Sequence, residues 1–280
     1  MQGKSINFIK GGILVVAILL GATHSAYSQV VHAGLKGGVN ASWVRYYEPE
    51  FRKNHDVEPV IGFNAGAAFS FKVKERYFLH TELLYTTKGR ITTGDLELRD
   101  RVRYNYIEIP LTYNIYFKGR INGTRQFKWY AGVGPNFSYW LGGRGRISHF
   151  ELRDFEVDGL DYKLKFGERP ENAQGDSEVV YVKNPNRLQL GLNVGGGIFV
   201  EPIGNRKIMV DVRFELGHSW LGTTESTDFV FPASYEDNLR TRNMGLRLSL
   251  MYLLESNTAK STRNKGKSTI NPQTGKKRRR

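Results

Sequence analysis

The residues that could do chemistry in this 280-residue sequence are acids and bases spaced along alternating segments. His218 and Ser219 adjoin one another, with Glu215 close upstream. These are the residue types of a nucleophile, a base and an orienting acid. In an extended segment, however, Glu215 and His218 face opposite sides. The sequence therefore predicts no enzyme, and no catalytic residue is assigned. Glu82, Glu108, Asp211, Arg213, Glu215 and Arg247 offer a second kind of chemistry, because all fall on the polar side of alternating runs. Such groups can relay protons or ions, or they can neutralise one another. A buried charge must be paired, so a structural ion network is the expectation. With no cysteine, a disulfide scaffold, Cys-ligated zinc, thiol redox chemistry and a Cys nucleophile are excluded. No P-loop, zinc-type His motif or EF-hand occurs, and no cofactor or metal is expected.

The elements that position these groups read as strands. In 31–44 the odd positions are Val31, Ala33, Leu35, Gly37, Val39, Ala41 and Trp43, and the even ones are polar or glycine. The same period of two recurs in 61–73, 77–86, 106–117, 127–139, 188–200, 208–217 and 243–252. That makes eight strands of about 10–14 residues, against a usual ~5–6 in globular sheets and ~9–11 in membrane strands. The apolar faces are almost free of charge. The opposite faces carry Lys36, Lys72, Glu82, Glu108, Lys128, Asp211, Arg213, Glu215 and Arg247 among many glycines. A soluble barrel would place its apolar side inward. The reverse arrangement, with lipid outside and a polar filled lumen, predicts an all-β fold. Specifically, the expectation is a monomeric, eight-stranded antiparallel transmembrane outer-membrane β-barrel.

Connection lengths agree with it. The gaps at 45–59, 88–104, 142–186 and 219–241 are long and those at 73–76, 118–126 and 201–206 short, as expected for extracellular loops and periplasmic turns. Trp43, Tyr46, Tyr85, Tyr139, Trp140 and Trp220 fall at one set of strand ends; Phe71, Tyr77, Phe117, Trp129 and Tyr252 fall at the other. Both sets are expected in interfacial girdles. Within 142–186, alternating stretches at 146–157 and 177–183 predict a strand pair projecting outward, the first choice for a partner-binding surface. Pro110 lacks the N–H of a ladder position, so a bulge or an unpaired position is expected there.

Charge is concentrated at the ends. Lys+Arg number 41 against 27 Asp+Glu, a formal net charge of +14. Lys4 and Lys10 contribute +2 before residue 29, and nine basic residues from 256 onward contribute +9, leaving +3 for the body. The basic start, the apolar run 11–20 and the small residues before Gln29 form a secretory signal peptide over 1–28. That run is too short to span a bilayer, which takes ~20 apolar residues. A mean hydropathy of −0.44 excludes a polytopic helical membrane protein. The barrel domain is then 29–255. The tail 256–280 is polar, basic and expected to be disordered. An even strand count puts both termini in the periplasm, where Lys276, Lys277, Arg278, Arg279 and Arg280 would meet anionic headgroups or a periplasmic partner. Nucleic acid is not expected as a partner of an exported chain.

Several strings carry a resemblance: "ELLYTTKG" (82–89), "YIEIPLTYNIYF" (106–117), "YAGVGPNFSYWL" (130–141), "LGLNVGGGIFV" (190–200) and "VDVRFELGHSWLG" (210–222). In order and spacing they resemble the PorT-like outer-membrane β-barrel family of Bacteroidota over about 30–254. The resemblance implies the barrel and its outer-membrane location, and a link to type IX protein secretion and gliding. The partners expected are outer-membrane lipid and lipopolysaccharide, with envelope or secretion-system proteins. The alternatives are a small porin-like or lipid-interacting barrel with a structural role and, less favoured, a lipid A-modifying enzyme.

Overall fold

The computed structural model describes residues 30–257 except 122–124, 154–155, 174, 202–205, 224–226, 231–234 and 236. The leader over 1–28 and the basic cluster Lys276, Lys277, Arg278, Arg279 and Arg280 lie outside the described residues. His32–Glu255 form one compact unit.

Strands account for most of it. They are β1 (Val30–Tyr46), β2 (His55–Lys74), β3 (Tyr77–Gly94), β4 (Arg99–Ile121), β5 (Arg125–Ser148), β6 (Leu160–Phe166), β7 (Val179–Val182), β8 (Leu188–Val200), β9 (Arg206–Gly217), β10 (Thr227–Asp228) and β11 (Thr241–Asn257). Two short helices, α1 (Pro49–Asn54) and α2 (Phe150–Arg153), sit in connections. No helix among the described residues is long and apolar enough to cross a membrane. Neighbours run β5-β4-β3-β2-β1-β11-β9-β8, and β8 pairs back onto β5 over Lys128–Tyr139. Eight strands therefore close on themselves and leave no ladder edge among them. The other three, β6, β7 and β10, continue outward from β5 as an extension.

The expectation of eight strands is thus corrected to eleven among the described residues, eight in the ring and three beyond it. The gap 88–104 is no loop: β3 and β4 run on through it and turn only at 95–98. Their alternation was illegible there because both faces carry polar or charged residues, such as Arg90, Thr92, Arg99 and Arg101. Nor is 146–157 a strand. β5 ends at Ser148, α2 follows, and the strand that pairs with β5 is β6. β7 then runs parallel to β6, a pairing that a two-stranded projection does not predict.

Side-chain exposure in the ring is inverted relative to a soluble protein. Outward Leu35, Phe63 and Leu250 are 72%, 50% and 55% exposed, whereas inward Lys36, Asp211 and Glu108 are 3%, 0% and 0%. Glycine keeps the crowded interior open: a Cβ added to Gly197 would lie 3.0 Å from the Tyr130 ring and hydroxyl. At Pro110 the β4–β3 ladder lapses between Glu108 and Leu111 with no shift of register, so Pro110 is unpaired toward β3, while toward β5 it stands in register with Asn136. Tyr46 and Trp140 are corrected as girdle residues. Both are even-numbered on strands whose even positions face inward, and both are almost fully buried. Tyr77, Tyr85, Trp129, Tyr139 and Tyr252 do face outward.

Candidate functional site

Two buried ion clusters fill the ring. In the first, Lys36 Nζ on β1 donates to Glu82 at 3.0 Å and to Asp211 Oδ1 at 2.9 Å. Arg213 reaches the same acids, Nη2 to Glu82 Oε1 at 2.8 Å and Nε to Asp211 Oδ2 at 2.9 Å. The Tyr130 hydroxyl also donates to Asp211, at 2.6 Å. In the second, Lys88 pairs with Glu108 and Glu215, and Arg247 pairs with the same two carboxylates. The Thr86 and Ser138 hydroxyls donate to Glu108 at 3.0 and 3.3 Å, and Asn136 Nδ2 donates to Glu215 at 3.2 Å. Each cluster holds two cations and two carboxylates, so each is neutral and no carboxylate is left uncompensated in a dry interior. The void beside Lys88, Glu215 and Arg247 is about 10 Å³, room for about one water.

Aromatic layers flank the charges. Toward the short turns, Phe78, Tyr116, Tyr130, Phe199, Met209, Met251 and Leu253 pack together. There Lys207 Nζ lies 5.0–5.1 Å from the Phe78, Tyr116 and Phe199 rings, a cation held against π faces. A cavity of about 440 Å³ opens beside them and is lined in part by Lys128, Glu201 and Lys207. Toward the extension, Val102, Tyr104, Tyr106, Trp140, Ile147, Tyr162, Val180 and Leu239 form a second core that caps the other end.

Within this cap, beyond the outward apolar band, Arg90 pairs with Asp100 and Asp237, and the Tyr162 hydroxyl donates to Asp100 at 2.6 Å. The Asp100 carboxyl is pushed up to about 7. Burial is the main cause; Arg90 opposes it and Asp237 adds to it.

The six acids and bases singled out in the sequence are all buried and divide between the two clusters: Glu82, Asp211 and Arg213 in one, Glu108, Glu215 and Arg247 in the other. Lys36, noted there only as a polar-face residue, joins the first. Sequence reasoning missed Lys88, which it assigned to a loop, and the whole Arg90–Asp100–Asp237 group. Alternation carried through 86–92 would have found Lys88 and Arg90, since both share the parity of Glu82. Asp237 had no such signal, because it comes from a connection. Lys72 is exposed, and Lys128 pairs with Glu201 at the short-turn end. Glu215 is committed to its cluster, His218 is exposed, and the Ser219 hydroxyl accepts the Leu190 N–H at 2.9 Å, so the three do not converge. No group of His, Cys, Asp or Glu among the described residues is arranged to hold a metal.

An all-β chain whose closed ring faces apolar residues outward and paired charges inward is of the outer-membrane barrel class. The sequence matches the family model of the outer membrane protein beta-barrel domain over residues 27–218, and the chain belongs to that family. No curated protein sequence matches it. Among solved structures, the outer membrane protein OprG from Pseudomonas aeruginosa is 11% identical, with 83% of this chain and 97% of that chain covered and a TM-score of 0.45. Neisserial surface protein A is 10% identical over 79% and 95%, with a TM-score of 0.35. Ail of Yersinia pestis is 12% identical over 80% and 98%, with a TM-score of 0.31.

Proposed function

We propose that this chain is a non-enzymatic outer-membrane barrel of the PorT-like kind, exported by the signal peptide over 1–28. In this reading the extension and long connections are extracellular and both termini periplasmic. It serves as an envelope interaction component linked to type IX secretion and gliding. The observation that carries the reading is the interior: two neutral ion clusters between two aromatic layers, with a void of about 10 Å³ beside the second cluster. Between the two aromatic layers a lumen packed in this way leaves no room for a substrate or a hydrated ion, and the cavity of about 440 Å³ lies at the short-turn end. This reading therefore assigns the work to surfaces away from the ring's midsection. The extension built from β6, β7 and β10 is the first choice among these, and its partners in this reading are envelope or secretion-system proteins.

Deleting the gene in its own host and following cargo of the secretion pathway tests the reading. Cargo retained in the cells, together with co-purification of secretion components on the tagged barrel, is the expected result. Normal export on deletion would remove the pathway. Planar-bilayer recording is expected to be silent, and steady single-channel steps would instead favour a small porin. Lipid A of unchanged mass on overexpression is expected of a barrel that modifies no lipid.

A further inference from the structure

Cations stand in register on the outward face of the extension. Arg103 on β4 lies opposite Arg144 on β5, and Arg144 lies opposite Lys163 on β6, so one row of three like charges crosses three strands. All three side chains are exposed. Directly opposed residues on one sheet face bring their Cβ atoms within about 5.5 Å, and like charges there are destabilising. Lys165, next on β6 toward the apolar band, is exposed as well.

The rows farther out differ. Arg101, Arg146 and Asp161 share the next row, where Arg146 pairs with Asp161 at 3.5 Å. Beyond it Arg99 pairs with Glu58 at 3.6 Å. No carboxylate among the described residues pairs with Arg103, Arg144 or Lys163. Each row farther out therefore carries a carboxylate of its own, although Arg101 pairs with none among the described residues, whereas the row next to the apolar band carries none. Leu141, the last outward apolar residue of β5, is 43% exposed. It lies within roughly 10 Å of Arg144 along the strand, at ~3.3 Å per residue.

From this placement we infer that Arg103, Arg144 and Lys163 bind the phosphorylated headgroup of an outer-leaflet glycolipid whose acyl chains lie along Ile107, Tyr139 and Leu141. Guanidinium groups suit phosphate because they donate two parallel hydrogen bonds in a fixed fork. A soluble acidic polymer would meet the outer rows first, and those rows carry their own carboxylates. A membrane-tethered anion meets the lowest row. The inference rests on the outer-membrane placement proposed above.

The intact barrel in neutral detergent, titrated with bis-phosphorylated lipid A and followed by native mass spectrometry, gives the test. Replacing all three residues (R103Q, R144Q and K163Q) is expected to weaken binding about a hundredfold, at roughly fivefold per cation near a lipid surface. The outer-row pair R99Q and R146Q changes it little. The triple variant is also expected to unfold at the same temperature as the wild type or a higher one in that detergent, because like-charge repulsion is gone. Equal lipid A affinity in the wild type and the triple variant would overturn the row. So would equal losses in both sets of variants. Inorganic phosphate or a soluble phosphorylated core sugar competing as well as lipid A would overturn the lipid assignment. Flotation with liposomes separates the two levels. A wild type that does not float removes the membrane placement itself, whereas one that floats but binds lipid A no better than the triple variant removes only the row.

Discussion

β4 and β5 pass through two environments, and their faces exchange character between them. In the ring, β4 turns Ile107, Ile109 and Tyr113 outward and Glu108, Thr112 and Asn114 inward. In the extension the same strand turns Arg99, Arg101 and Arg103 outward and buries Val102 and Tyr104. β5 does likewise, from Phe137 and Tyr139 outside with Asn136 and Ser138 inside, to Arg144 and Arg146 outside with Ile147 inside. The crossing on β5 needs a device, because alternation alone would send Arg144 into the cap. It is a bulge: Asn105 pairs with Gly142 and Tyr106 with Trp140, which leaves Leu141 as the extra residue. Gly142 takes a φ of +146° there, a conformation that favours glycine. Burial thus has opposite sign in the two halves. What must be hidden is set by the solvent outside, hydrocarbon below and water above.

The largest effect that could break this contrast is in the ring. Glu108→Ala leaves Lys88 and Arg247 to share the single carboxylate of Glu215 in a dry interior. Removing one partner of a buried pair costs about 3–5 kcal/mol. Urea titration of the barrel in liposomes, read by tryptophan fluorescence, measures it. A cost near zero would mean that water fills the lumen and that the clusters are not structural. Next comes Val212→Arg. Val212 is 45% exposed, and in water such a change would fall within about 0.5 kcal/mol. On a lipid face near the midplane it costs about 2–4 kcal/mol. A small effect in the same titration would place water, not hydrocarbon, outside the ring.

How much of this was legible follows the same divide. Where lipid lies outside, alternation is strict, so the sequence located all eight ring strands and the inward parity of Glu82, Glu108, Asp211, Arg213, Glu215 and Arg247. It located neither the ends of those strands nor most of the extension, although 177–183 does contain β7. The reason is that both faces of 88–104 carry polar residues: Arg90 and Thr92 are buried in the cap, while Arg99 and Arg101 lie on the exposed side. Tyr46 and Trp140 were read as girdle residues from their type, although their even positions already placed them inside. The Gly142–Gly143 step was legible only as a break; which way it re-aims Arg144 depends on the pairing with β4. Asp237 joins Arg90 through a connection, and no period records that contact.

The extension can be perturbed separately through pH. Asp100 titrates at about 7 in the fold, against roughly 4 for an ordinary carboxyl. A raised folded value means that its contribution to stability is complete below about pH 4 and is lost as pH rises through about 7. Deprotonation leaves a second carboxylate beside Asp237, among Tyr46, Tyr104, Tyr162 and Tyr235, with Arg90 shared between the two acids. The expected result is faster proteolysis within 149–186 at pH 8 than at pH 5.5, with the ring unaffected. Asp100→Asn, which mimics the neutral acid, should flatten that dependence. A variant as pH-sensitive as the wild type would show that another group controls the cap.

The smallest effect sharpens the comparison most directly, because it uses the same chemistry in the other solvent. Arg99 and Glu58 form an ion pair at 3.6 Å with both side chains more than half exposed. Glu58→Gln is expected to cost about 0–1 kcal/mol, since water solvates the arginine left behind. What cost there is should vanish in 1 M salt, where the screening length is about 3 Å. The loss from Glu108→Ala should persist in the same salt, because ions cannot enter a packed interior to screen Lys88 and Arg247. If salt rescued both variants alike, the interior would be in contact with bulk solvent, and the ring would differ from the extension only in side-chain pattern and not in environment.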